Sequence, residues 1–331
     1  MNIRRRRLLP AALAGLAAAG LTAVTGCSSS GSAQGGGGDG RVDVVASFYP
    51  VQFLAEQIGG KHVKVTALTA PGVEPHDLEL KPQQVAALSE ADLVVYLKGL
   101  QPAVDEAVEQ SGAAATVDAA TLTELENHGT GGDGHNHGEE AGGEHAGEEH
   151  GEEKHGGEGA PDPHVWLDPV KYAEVAEGVG KALAEADPGH ADAYAKNTDA
   201  LVAKLKGLDA DFENGLKNRS TDTFITAHAA FGYLAERYGL DQEAIALDPE
   251  SEPSAARMKE LHEHAKEDNV STIFFETLAS DRTAKALAND LGLRTDVLDP
   301  LEGITDASKG NDYFEVMESN LAALKKALGS K

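Results

Sequence analysis

The chain has 331 residues, 41% of them hydrophobic and 25% charged, with 28 Lys and Arg against 55 Asp and Glu for a formal net charge of −27. That length and apolar fraction supply a real core for one large or two medium domains. The acidic balance excludes nucleic acid and anionic membrane surfaces as natural partners, because a phosphate-binding face needs an excess of Lys and Arg, and it leaves cations as the better fit.

Arg4 to Arg7 form a positive n-region, Leu8 to Val24 an apolar run, and small residues follow, which reads as a secretory signal and predicts a mature protein outside the cytoplasm. Leu8-Leu9 after the arginines is compatible with either the general or the twin-arginine route. The single cysteine, Cys27, directly follows Val24-Thr25-Gly26. This pattern resembles the lipobox of bacterial lipoproteins, which implies that residues 1–27 are a lipoprotein signal and that an acylated Cys27 anchors the chain to the cell membrane. Residues 28–40 are Gly- and Ser-rich without apolar periodicity and read as a flexible tether. No other stretch is apolar enough over eighteen residues to span a membrane.

From Arg41 onward, short β-branched runs alternate with helical patterns. Strands are predicted at Val42–Ala46, Val63–Leu68, Leu93–Tyr96 and Ala115–Asp118, then at Thr223–Thr226, Thr272–Phe275 and Thr295–Leu298. Helices are predicted near Ser254–Lys266, Arg282–Leu291 and Phe314–Leu328. The pattern predicts an α/β protein of two lobes, 41–187 and 219–331, each with a central parallel sheet flanked by helices. Residues 188–218 carry Leu201, Leu205, Leu208 and Phe212 on one stripe, with Asp187 as N-cap and Pro188 at the first helical position. They predict one long helix spanning the two lobes, roughly 45 Å long at 1.5 Å per residue.

Residues 128–159 are dominated by Gly, Glu and His, and have too few apolar side chains to offset the entropy of ordering. They are predicted to form a disordered loop in the first lobe. Its His128, His135, His137, His145, His150 and His155, set among acidic residues, form an auxiliary cluster expected to bind additional zinc weakly; the plainer alternative is a solubilising acidic linker.

Three isolated histidines stand near predicted strand ends or helix starts: His76 in Pro75-His76-Asp77, His164 in Asp162-Pro163-His164-Val165-Trp166-Leu167-Asp168-Pro169, and His228 in Thr226-Ala227-His228. The crevice beyond the carboxyl ends of parallel strands is where open α/β sheets bind ligands, so these three can converge there. Each could equally be a structural or capping residue. His62, His190, His262 and His264 fall in polar or helical contexts and read as solvated.

These blocks, together with Ala91-Asp92-Leu93-Val94-Val95, Ala229-Ala230-Phe231-Gly232-Tyr233, Ile273-Phe274-Phe275-Glu276 and Leu298-Asp299-Pro300-Leu301-Glu302, strongly resemble the zinc-binding solute-binding proteins of ABC transporters, the ZnuA-like family, whose wider cluster includes manganese binders. The resemblance implies one tightly held Zn(II) between two lobes, with His76, His164 and His228 as nitrogen ligands and Glu302, or secondarily Asp299, as the fourth. Three imidazoles and one carboxylate suit zinc better than manganese. Glu276 is expected to support an imidazole, and Asp77 or Asp168 could orient one or merely cap helices.

The resemblance also implies a monomeric, non-enzymatic protein that captures zinc outside the cytoplasm for an ABC permease. Affinity is expected to fall as pH drops toward about 6, where imidazole protonates. Two other readings stay open: a secreted zinc hydrolase, and a metal-buffering or adhesive lipoprotein.

Overall fold

The computed structural model describes residues 40–129, 161–249 and 251–330, all within one unit, Gly35–Lys331. The expectations for the signal, Cys27 and residues 28–39, and for His135, His137, His145, His150 and His155, lie outside the described residues.

The first half alternates β1 (Val42–Ala46), α1 (Tyr49–Gly59), β2 (Val63–Ala67), α2 (Pro82–Glu90), β3 (Leu93–Tyr96), α3 (Pro102–Ser111) and β4 (Thr116–Asp118). Its four strands pair in the order β2-β1-β3-β4, all parallel. Residues Val42, Val44, Val45 and Ala46 are buried, as a central strand covered on both faces requires. α4 (Pro169–Ala186) and α5 (Ala191–Leu216) follow.

The second half carries β5 (Thr223–His228), α6 (Gly232–Tyr238), β6 (Asp241–Ala246), α7 (Ala255–Glu267), β7 (Thr272–Phe275), α8 (Arg282–Leu291), β8 (Arg294–Val297) and α9 (Tyr313–Ala327). Its sheet repeats the first, in the order β6-β5-β7-β8 and again parallel. In both sheets the order reverses beside the first strand, which opens a crevice at the carboxyl ends.

The expected long helix is present but shorter than 188–218: α5 runs Ala191–Leu216, behind a 3-10 turn at Pro188–His190. Asp187 does not cap a backbone N–H there with its side chain; its Oδ2 accepts from His190 Nδ1 at 2.6 Å and Tyr194 OH at 2.8 Å. At 1.5 Å per residue the α-helical part is about 39 Å long. The predicted stripe is its buried face, with Tyr194, Leu201, Leu205, Leu208 and Phe212 each at most 4% exposed. That face belongs to one hydrophobic core that includes residues of β1 and β3 and also Phe224, Phe274 and Met317 of the second half.

One strand went unpredicted. β6 opens with Asp241-Gln242-Glu243, a polar start that hides its β character, yet Gln242 and Glu243 are buried. Gln242 Nε2 donates to Thr226 Oγ1 at 2.8 Å, and Glu243 pairs with Arg257 at 2.6 Å and with His264 Nδ1 at 2.9 Å. His264 is therefore a partner of a buried carboxylate, not a solvated residue. His62 and His190 stack on each other with ring centroids 3.8 Å apart.

Candidate metal centre

His76, His164, His228 and Glu302 are brought together by four separate segments, with ligand-type atoms all within 4.8 Å of one another. His76 lies in the loop after β2, His164 ahead of α4, His228 ends β5, and Glu302 follows β8. The last two reach the group from the carboxyl end of the second sheet, where His228 is registered beside Ala246 of β6.

Glu302 Oε1 is the hub. It stands 3.2 Å from His76 Nε2, 3.2 Å from His164 Nε2 and 3.6 Å from His228 Nε2, while the Nε2 atoms of His164 and His228 are 3.5 Å apart. Donors roughly 2.0–2.1 Å from a tetrahedral zinc ion stand about 3.3–3.4 Å apart, so these spacings fit such an ion with small adjustments. Glu302 is fully buried and its Oε2 has no hydrogen-bond partner. A buried carboxylate oxygen left in that state is costly, and a cation is what would satisfy it. The donor set and the orphaned oxygen therefore fit a borderline divalent ion such as Zn(II).

A second layer of contacts aims the rings. His164 Nδ1 donates to Asp162 Oδ1 at 2.6 Å, and His228 Nδ1 donates to Glu276 Oε1 at 2.9 Å. Each carboxylate fixes the proton on Nδ1 and leaves Nε2 facing the centre. Glu276 thus has the supporting position expected of it. In the sequence Asp162 is only one member of the Asp162–Pro169 block; its role depends on the chain folding back so that Asp162 also accepts His164 N at 2.9 Å. Asp168 caps α4 through Val170 N at 2.8 Å and pairs with Arg237 at 2.7 Å. His76, with 17% of its side chain exposed, is the most accessible of the four. Its loop is tied down where Gln101 Nε2 donates to Pro75 O at 3.2 Å and to Thr69 Oγ1 at 3.0 Å.

Asp299 is not in the cluster. Its Oδ1 accepts Leu301 N at 2.9 Å and its Oδ2 accepts Thr277 Oγ1 at 3.1 Å, which shapes the turn that delivers Glu302.

The electrostatics follow from burial and pairing. Burial works against the charged form of His164, but Asp162 and Glu302 hold its imidazolium up to about 10. The His228 imidazolium is also raised, burial again opposing and Glu276 and Glu302 prevailing. Burial would raise Glu302, yet His164 and His76 keep it well below the usual carboxylate range. Burial pushes Glu74 up to about 8, and Glu302 adds to this.

His128 departs from the expectation of a disordered loop residue. Its ring packs edge-on against Tyr233 with centroids 4.6 Å apart, and its nitrogens meet Asp162 Oδ2 at 2.8 Å and Glu236 Oε2 at 2.9 Å. The aromatic face and two carboxylates supply the ordering contacts that composition alone did not reveal.

Two parallel α/β sheets joined through a shared helix, with three imidazoles and a carboxylate gathered between them, define a bilobal metal-binding protein. Residues 44–327 match the family described as ZnuA, zinc-uptake complex component A periplasmic. This chain belongs to that family. It is 38% identical over 315 residues to the high-affinity zinc uptake system protein ZnuA of Bacillus subtilis, covering 93% of this chain and 94% of that one. It is 37% identical over 297 residues to the zinc-binding lipoprotein AdcA of Streptococcus pneumoniae, covering 87% of this chain but spanning only 56% of that longer protein. The crystal structure of the Zn(II)-bound ZnuA-like domain of S. pneumoniae AdcA superposes with a TM-score of 0.70 at 34% identity, covering 87% of this chain and 99% of that one.

Proposed function

We propose that this chain captures Zn(II) outside the cytoplasm and hands it to the permease of an ABC importer. The observation that carries the reading is the convergence of three Nε2 atoms and Glu302 Oε1, drawn from both halves of the chain, at spacings suited to tetrahedral zinc. His76, His164, His228 and Glu302 are the ligands, and zinc is cargo. The working unit is the pair of lobes, 41–187 and 219–331, on the helix between them. Cys27 and its lipid hold a monomer at the membrane beside the permease.

Zinc is preferred to manganese because hard, oxygen-rich sets of higher coordination suit manganese, whereas three of four donors here are imidazole. A hydrolase reading fits poorly: a catalytic zinc keeps one position open for water, and Glu302 fills that position.

The test is a competitive titration of the mature chain with zinc and manganese, alone and as His164→Ala. One tight zinc ion per chain, lost in the variant and outcompeting manganese, is the expected result. A tight ion that survives His164→Ala overturns the ligand assignment, and a preference for manganese overturns the cargo.

A further inference from the structure

A second group of metal-ligand side chains stands apart from the interlobe cluster. Glu126, His128 and Glu236 offer atoms within 4.8 Å of one another. Glu126 and His128 come from the segment after the 3-10 turn Ala119–Thr121, and Glu236 from α6. Two carboxylates facing one imidazole make a negative pocket in which a divalent cation can replace the imidazole proton.

The orientation of His128 is the independent observation. Its Nδ1 donates to Asp162 Oδ2 at 2.8 Å, while the other oxygen of the same carboxylate accepts His164 Nδ1 at 2.6 Å. Asp162 is 6% exposed. One buried carboxylate therefore orients two imidazoles in the same way, each with its proton on Nδ1. At His164 the Nε2 so presented faces Glu302, 3.2 Å away; at His128 it faces Glu236, 2.9 Å away. Tyr233 fixes the position of the His128 ring from the side and donates its OH to Asp162 O at 2.8 Å.

We infer that Glu126, His128 and Glu236 form a second divalent-cation site, oriented through Asp162, the carboxylate that also supports the interlobe centre. A cation between His128 Nε2 and the two carboxylates takes the place of the Nε2 proton and leaves the Nδ1–H bond to Asp162 intact. With one imidazole and two carboxylates, water completes the coordination, so the site binds more weakly than the interlobe centre and discriminates less between zinc and harder divalent ions. Lys171 Nζ, 2.6 Å from Glu126 Oε1 and 2.8 Å from Glu124 O, competes for Glu126 and weakens the site further.

Equilibrium dialysis against zinc tests this on the mature chain with His135, His137, His145, His150 and His155 replaced by Ala, a background that leaves the proposed ligands in place. Two zinc ions per chain are expected, one tight and one weaker. Glu236→Gln, at an exposed side chain, and Glu126→Gln should each weaken only the second ion, by tenfold or more. His164→Ala should remove the tight ion and spare the weaker one, so failure of the interlobe assignment and failure of this one give different patterns. A single ion in the background chain, or a second ion indifferent to the combined Glu126→Gln and Glu236→Gln change, overturns the site.

Discussion

Glu302 presents one oxygen to three imidazoles inside a site from which water is largely excluded, and its negative charge needs a counter-charge there. Without metal, protons supply it: His164 donates from Nδ1 to Asp162 and from Nε2 to Glu302 and keeps its proton up to about 10. If His164 is a zinc ligand as proposed, the ion needs its Nε2 lone pair and binding expels that proton. Affinity must then rise with pH for as long as the metal-free site holds the proton, by about one decade per pH unit for each proton displaced. Zinc affinity is expected to climb throughout pH 6 to 9, a wider window than the fall toward about 6 anticipated from unperturbed imidazole. A flat profile above pH 7, measured with a chelator of known proton dependence, would contradict the pairing of His164 with two carboxylates. Replacing Asp162 by Asn removes the charge that orients His164 without touching a proposed ligand; a loss of 10–100-fold in zinc affinity is expected from direct titration. The histidine ligand candidates were legible because each sits in a short polar block at a strand end or helix start. Glu302 was legible only through resemblance, since nothing local separates it from Asp299. Asp162 was not legible, because an acceptor's role is set by where the backbone turns.

The turn between β8 and α9 has the same dependence on distant groups. Leu301 has φ of 60°, a left-handed conformation that a leucine rarely adopts and that persists only where the surroundings impose it. Asp299 accepts its N–H, Trp166 Nε1 donates to Pro300 O at 2.7 Å, and Asn320 on α9 both accepts from Asp299 N at 2.9 Å and donates to Asp299 O at 2.7 Å. The Leu301 side chain is fully buried, which adds a further constraint. Asn320→Leu keeps the volume and abolishes both of its hydrogen bonds to Asp299. It should destabilise the fold by roughly 1–3 kcal/mol in urea unfolding, from two buried backbone groups left unpaired, and weaken zinc binding about tenfold although all four donors remain. An unchanged zinc affinity would mean that the turn holds Glu302 without α9. Elements of regular period, such as the stripe on α5, were readable because burial wrote it into every third or fourth residue. β6 was not, because its buried Gln242 donates to Thr226 and its buried Glu243 pairs with Arg257 and His264, partners that no local pattern reveals.

At the scale of the whole molecule, the question is how an ion held at the proposed centre would leave. Wide separation of the lobes would have to break a continuous core. Phe53 of α1 packs on Tyr313 of α9 with centroids 5.6 Å apart, and Tyr172 of α4 lies 4.7 Å from the same ring. Tyr313 OH donates to Trp166 O at 2.6 Å, Trp166 grips Pro300, and Tyr233 OH reaches across to Asp162 O. Exposing several buried aromatic rings costs about 1.5–3 kcal/mol for each, so a hinge opening of that kind is too unfavourable to be a routine step. The His76 loop offers a cheaper route: it carries the most exposed of the four proposed ligands, contains Gly72 at φ of 80° and the exposed Val73, and a main tie to the body is Gln101. Release is therefore expected to proceed by local opening of this loop while the lobes stay together. Solution scattering is expected to give nearly the same radius of gyration with and without zinc, while hydrogen exchange across residues 70–80 slows on zinc binding. Gln101→Ala should speed that exchange and raise the zinc dissociation rate more than the association rate, because the tie acts on the closed state. A large zinc-dependent change in the radius of gyration, with exchange in the loop unaltered, would mean instead that the core between the lobes opens.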